Sequence, residues 1–126
     1  MDIQRINPDS MATPIAPYTL VVRKGKLVTT AGMMALDANG KLVGEDIESQ
    51  TRQTIANVVT ALGAAGASLD DVVKVTVFIT DVENFAAMNS VYTEFFSESR
   101  PARSTVCVEL VLPGALVEIE ATAVLG

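Results

Sequence analysis

A strict two-residue alternation near the C-terminus constrains the fold of this chain more than any other feature. In LVEIEATAV, residues 116–124, the apolar Val117, Ile119, Ala121 and Ala123 interleave with Glu118, Glu120 and Thr122. Successive strand side chains point to opposite sides, so this period makes a strand with one apolar and one polar face. The preceding run STVCVELVL, residues 104–112, alternates as well. Val106, Val108, Leu110 and Leu112 share one side; Arg103, Thr105, Cys107 and Glu109 share the other. A two-residue turn at Pro113-Gly114 would pair Val108 with Ile119, Leu110 with Val117 and Val106 with Ala121, and the apolar faces then coincide. One face is expected under helices. The polar face is either solvated or functional, and Cys107, Val111 and Val124 are unusual choices for a solvated one.

That register sets Glu118 opposite Glu109, and adjoining carboxylates are one route to a raised pKa and a proton-handling acid. It also brings Arg103 near Val124, about 20 Å along the strand from Glu118. The two can serve one small ligand only if the site lies between subunits.

Other segments complete the framework. Strands are expected at 3–6, 19–23 and 26–30, the latter two joined by Lys24-Gly25 as a hairpin. Asp37-Ala38-Asn39-Gly40 has turn composition. A helix over 48–65 carries Ile55, Val58, Val59 and Leu62 as its apolar stripe and stops at Gly66. VVKVTVFIT, residues 72–80, is a strand with Lys74, Thr76 and Phe78 on one face. A second helix over 83–97 presents Phe85, Met88, Tyr92 and Phe95, and strands at 104–112 and 116–125 close the chain. The order β-β-β-α-β-α-β-β predicts one α+β domain over residues 1–126, a mixed sheet with two main helices on one face.

Composition then excludes whole classes of function. The 126 residues include no histidine, which removes His-based triads, His-ligated zinc and a His general base. Nine basic against fifteen acidic side chains leave a net charge of −6, opposed to a nucleic-acid footprint. The lone Cys107 excludes an intrachain disulfide framework and reads as a buried small hydrophobe without a catalytic role. No apolar run approaches the roughly 18 residues of a membrane span, and MDIQRINPDS lacks signal-peptide character, so a soluble cytoplasmic protein is expected. With 49% hydrophobic residues but only four Phe, two Tyr and no Trp, part of the apolar surface is expected against other subunits.

PARSTVCVELVLPGALVEIEATAV resembles the C-terminal signature of the RidA (YjgF-type) reactive-intermediate deaminases. Ala16-Pro17-Tyr18, Val28-Thr29-Thr30-Ala31-Gly32, Val73 to Phe78, and Met88-Asn89-Ser90-Val91-Tyr92 before Phe95-Phe96 extend the resemblance over nearly the whole chain in the same order. It implies a chorismate-mutase-like fold, a homotrimer with sheets inside and helices outside, and three intersubunit sites. It also implies hydrolysis of enamines and imines such as 2-aminoacrylate or 2-iminopropionate to 2-oxo acids and ammonia, without metal or organic cofactor. Arg103 falls on the family's carboxylate-binding arginine, Glu118 on its water-handling acid and Tyr18 on its tyrosine; Thr105, Ala31, Gly32 and Asn89 join Arg103 around the substrate. An Arg fork binds a carboxylate in bidentate fashion, which Lys does not match.

The chain departs from the family pattern at Ala31, often Ser; at Ala16, usually Gly; at Thr105, often Cys; and at Arg100, where an aromatic commonly precedes the proline. Arg100 either opens the pocket or adds a second cation for a dianionic substrate. A non-catalytic trimeric binder of small 2-oxo or amino acids is the alternative. Nuclease activity suits neither the missing histidine nor the acidic charge.

Overall fold

The computed structural model describes residues 2–126. Its elements are β1 (Ile3–Ile6), β2 (Val21–Lys24), β3 (Leu27–Thr30), α1 (Ile47–Ala64), β4 (Val72–Ile79), α2 (Phe85–Phe95), β5 (Ala102–Cys107) and β6 (Val117–Val124). The order is the expected one. They build a six-stranded sheet, β1-β2-β3-β6-β4-β5, antiparallel except between β4 and β5.

Local chemistry sets the boundaries. Gly25 takes φ 61° between β2 and β3, a conformation that tight hairpins reserve for glycine. The Asp37 carboxylate accepts from the N–H groups of Asn39 and Lys41 and closes the 37–40 turn. Asp46 caps α1 by accepting from the Ser49 N–H at 2.7 Å. Gly66, at φ 86°, ends it: its N–H donates to the Gly63 carbonyl and the Ala67 N–H to that of Leu62, a Schellman motif. Arg23 of β2 donates to the Ala65 carbonyl at 2.9 Å and ties the sheet to this negative helix end.

Both helices lie on one face. Val117, Ile119, Ala121 and Ala123 of β6 and Val75, Val77 and Ile79 of β4 are buried in one cluster with Ile55, Val58 and Leu62 of α1 and Met88 of α2. Each large aliphatic side chain so buried contributes about 1.5–3 kcal/mol. Val59 is exposed instead of lying on the α1 stripe, and Ala61 takes the inward place. Phe85 likewise stays exposed, while Val91 of α2 is buried. Lys74, Thr76 and Phe78 do share a face, with Glu118, Glu120 and Thr122 of β6, and no helix of this chain covers it.

The expected C-terminal hairpin does not form. β4 lies between β5 and β6, with Phe78 paired to Val106 on one side and to Glu118 on the other. α2 returns the chain across the sheet, so β5 enters parallel to β4, as a helical crossover dictates. Pro113-Gly114 does make a turn, the Ala115 N–H donating to the Leu112 carbonyl at 3.1 Å with Gly114 at φ 86°, but it lies within a connection over 108–116 and does not join β5 to β6 as a hairpin. The assignment of faces on β5 reverses too. Arg103 pairs with Val75 and Thr105 with Val77, which puts both on the helix side. Val106 (42% exposed) and Val108 (37% exposed) stay partly solvated instead of entering the core. Alternation shows that two faces differ; on an edge strand half covered by a helix it does not say which one is inside. Cys107 at the end of β5 is exposed, not buried as expected.

Candidate active site

Arg103 leaves edge strand β5 beneath α2. Its guanidinium carbon lies 4.6 Å from the centre of the Tyr92 ring and 5.9 Å from that of Phe85, so two aromatic faces hold the cation. This contact gives the exposed Phe85 its place. No carboxylate neutralises Arg103: among the described residues the one ion pair is Arg52–Glu94, at 2.8 Å on the surface. A cavity of about 270 Å³ opens beside the guanidinium, bordered also by Asn89, Tyr92, Phe96 and Arg100 and by no acid.

Three polar atoms in this region, the Tyr92 hydroxyl, Asn89 Oδ1 and Thr105 Oγ1, are buried without a hydrogen-bond partner. Buried polar groups are normally paired, so such atoms mark where something else completes the set. The Thr51 and Thr54 hydroxyls of α1 share that state; the grouping around an unpaired cation is what distinguishes the three. Burial pushes the Tyr92 phenol above its ordinary pKa, against the opposing pull of the Arg103 charge. Tyr92 therefore stays a neutral donor at physiological pH.

Glu118 belongs to the other face. It is half-buried on β6. Between β3 and β6 the pairing slips by one residue: Thr29 faces Thr122, yet Met33 faces Ile119. Residues 30–32 thus oppose only two residues of β6, a bulge of the kind that re-aims side chains near functional sites. The Thr30 hydroxyl accepts from the Ala121 N–H at 3.1 Å, and the Ala31 N–H turns away to the Leu20 carbonyl at 2.9 Å. The chain at Gly32 then runs directly against the acid. A Cβ there would stand 2.7 Å from the carboxyl carbon of Glu118, closer than real side chains come, so any larger residue would displace the Glu118 carboxylate. Burial pushes Glu118 above the usual carboxylate range, and the Glu120 charge adds to the effect. The neighbouring acid is Glu120, not the expected Glu109, because β5 does not adjoin β6.

The candidate residues fall into two groups. Arg103 and Asn89 border the cavity, with Thr105 beside them on β5; Glu118 and Gly32 meet on the open face, while Ala31 packs partly buried against the core. Tyr18 stands apart on the loop before β2, 45% exposed, its N–H donating to the Ala16 carbonyl at 2.8 Å. Arg103 aligns through Val75 with Ala121, three residues from Glu118 and two strands away. That is roughly 14 Å on opposite faces of one sheet. The expectation that the two cannot meet within a subunit stands, by a different geometry from the hairpin that suggested it.

Two supporting residues were not legible in the sequence. Tyr92 counts there only as one of four apolar positions on α2, and its role as the platform for Arg103 depends on which face of β5 lies under that helix. Gln50, 1% exposed, donates to the carbonyls of Gly44 (3.2 Å) and Gly114 (2.9 Å) and accepts from the Leu116 N–H (2.8 Å), pinning the entry into β6. A glutamine at an inward position of an apolar stripe is the one signal that could have found it. Among the described residues no three His, Cys, Asp or Glu side chains gather as metal ligands, and no helix is long and apolar enough to cross a membrane.

A mixed sheet with two helices on one face and polar clusters on both sides defines a small single-domain α+β protein. Residues 9–125 match the family described as Endoribonuclease L-PSP, and the chain belongs to this family, that of the YjgF/RidA proteins. A RutC family protein of Pyrococcus horikoshii is 46% identical over 111 residues, covering 87% of this chain and 88% of that protein. The 2-iminobutanoate/2-iminopropanoate deaminase of Salmonella typhimurium is 38% identical over 122 residues, covering 94% and 95%. Among solved structures, E. coli TdcF with bound serine superposes with a TM-score of 0.90 at 36% identity, covering 98% of this chain and 99% of that one.

Proposed function

We propose that this protein is a hydrolytic deaminase of small 2-imino acids and their enamine tautomers, of the 2-aminoacrylate and 2-iminopropionate type. It works as a homotrimer of chorismate-mutase-like subunits, with the Arg103 group of one protomer facing the Glu118 group of its neighbour. The observation that carries this reading is the unneutralised Arg103 guanidinium, stacked on Tyr92 and bordered by buried polar atoms without partners. Such a site fits a planar anion that brings its own hydrogen-bonding groups. The uncovered sheet face, with Leu27, Val106 and Val124 exposed on three of its strands, supports burial against further copies.

Arg103 binds the substrate carboxylate and so orients the iminium carbon, with Asn89 Oδ1 placed to accept from its N–H. Tyr92, Thr105 and the backbone at Ala31-Gly32 shape the pocket, and Tyr18 closes it from the loop. Glu118 takes a proton from water as the oxygen adds to the carbon. It then returns that proton to nitrogen; as the carbon–nitrogen bond breaks and its electron pair leaves with ammonia, Glu118 takes the proton of the new hydroxyl, and the 2-oxo acid remains. The electrophile is already activated by protonation, so neither metal nor organic cofactor has a task in these steps. A pKa raised by burial suits an acid that must both take and give a proton. We assign the reaction to the cytoplasm, a reducing compartment consistent with the lone Cys107.

A non-catalytic binder of 2-oxo acids would need Arg103 but no acid wedged against Gly32, which favours turnover. The net charge of −6 and the absence of histidine disfavour the RNA cleavage carried in the family's description. The deciding assay generates 2-aminoacrylate or iminopropionate in situ and follows release of the 2-oxo acid. Wild type accelerates release, Arg103→Ala abolishes nearly all of the effect, and Glu118→Gln lowers the rate by about 10²–10⁴-fold. Equal rates for all three and for buffer would leave only the binder. The solution mass is expected near three times 13.3 kDa.

A further inference from the structure

We infer that Arg100 is a specificity-determining residue that binds a second carboxylate, making four- and five-carbon 2-imino dicarboxylates the preferred substrates. This rests on the deaminase reading for turnover but not for binding. Arg100 and Arg103 border the same cavity of about 270 Å³ together with Asn89, Tyr92, Thr93, Phe96 and Pro101, and none of these is acidic. Two guanidinium groups with no acidic partner within ion-pair distance are an uncommon concentration of charge in a chain of net charge −6. Like charges repel, and an anion bound between them relieves that repulsion. The buried, unpartnered Tyr92 hydroxyl, on a residue 7% exposed, supplies a further donor at this cavity.

The backbone directs Arg100 there. Pro101 biases the preceding residue toward an extended conformation, and the Arg100 N–H donates to the Glu98 carbonyl at 3.0 Å. Three residues of extended chain separate the two arginine Cα atoms by at most about 10 Å, within which long side chains converge. The carboxyl carbons of a four- or five-carbon dicarboxylate stand roughly 4–5 Å apart, from carbon–carbon bonds near 1.5 Å. Arg103, held by Tyr92, fixes the carboxylate next to the imine; Arg100, exposed at the cavity border, takes the distal one. A monocarboxylic imine leaves Arg100 unused.

Two measurements on the full chain test this separately from the chemistry. Imines are made in situ by flavin amino-acid oxidases from alanine and from glutamate, and hydrolysis is read as lost semicarbazone formation. Wild type is expected to favour the dicarboxylic imine, and Arg100→Ala to cut the dicarboxylic-to-monocarboxylic ratio of kcat/KM by about tenfold or more, mainly through KM, with Arg100→Lys restoring part of it. Calorimetry with the stable products 2-oxoglutarate and pyruvate should show the same preference and its loss in Arg100→Ala. Equal losses for both ligands would identify a general field effect and overturn the second subsite, as would equal affinity of wild type for the two products. Dependence of binding on Arg100 without turnover of either imine would sink the deaminase reading and leave the subsite standing. Turnover of the monocarboxylic imine with no role for Arg100 would do the reverse.

Discussion

One added methyl group at Gly32 probes the site at its tightest point. The Cβ of Gly32→Ala would stand 2.7 Å from the Glu118 carboxyl carbon. Ordinary carbon–carbon contact begins near 3.5 Å, so the carboxylate must retreat by roughly 1 Å. Gly32 is not among the positive-φ glycines, and alanine accepts its backbone conformation. That exchange stabilises by about 0.4–1 kcal/mol through the unfolded chain. Swinging Glu118 off its preferred rotamer costs about 0.5–1.5 kcal/mol, so the unfolding midpoint should move by only a few degrees. Catalysis should suffer far more. A 1 Å misplacement of a reacting group costs about 10²-fold, equivalent to about 2.7 kcal/mol of barrier. The imine assay on Gly32→Ala is therefore expected to show kcat down about 10²-fold with near-native thermal stability. The same change in a Glu118→Gln background should add little, because both act on one group. Wild-type kcat in Gly32→Ala, or full additivity of the two changes, would refute the placement of Glu118 as the water-handling acid.

The remaining predictions concern pH and stability. Glu118 must be ionised to accept the water proton, so the acid limb of kcat/KM should lie above the ordinary carboxylate range, and Glu120→Gln should move it down by removing a neighbouring charge. A limb at the ordinary position, insensitive to Glu120, would contradict the assignment. Because the folded pKa is raised, the folded state binds the proton more tightly than the unfolded one. This stabilisation is fully present below the unfolded pKa and is lost as pH rises through the folded value, so thermal unfolding of Glu118→Gln should depend less on pH across that window. Gln50→Leu strips three backbone groups of their partners at Gly44, Gly114 and Leu116. A loss of about 3 kcal/mol, or roughly 10 °C in Tm, is expected by calorimetry. An unchanged Tm would mean that solvent satisfies those groups and that the 108–116 connection is held elsewhere.

The parts of the fold that are legible in the sequence and the parts that are not are divided by one physical cause. The two helices, all six strands, the Gly66 stop and the Asp37 turn rest on patterns within a few residues, where sterics and capping act directly. The inward face of β6 was legible because Val117, Ile119, Ala121 and Ala123 alternate without exception. The pairing of β5 was not. A hairpin and a strand inserted through β4 bury similar apolar area, and closing the longer loop costs little extra entropy, so a single stretch cannot choose between them.

What the amino-acid order determined by itself is the inventory: which segments are strand or helix, and which side chains are candidates for anion binding and proton transfer. The tertiary fold alone decided how they face. It turned Arg103 under α2 onto Tyr92, placed Arg100 at the same cavity, and drove Gly32 against Glu118 through a one-residue slip between β3 and β6. The reason is range. Periodicity is written by residues two to four apart, whereas strand neighbours and helix cover are settled by contacts dozens of residues apart, whose free energies exist only once the whole sheet has formed.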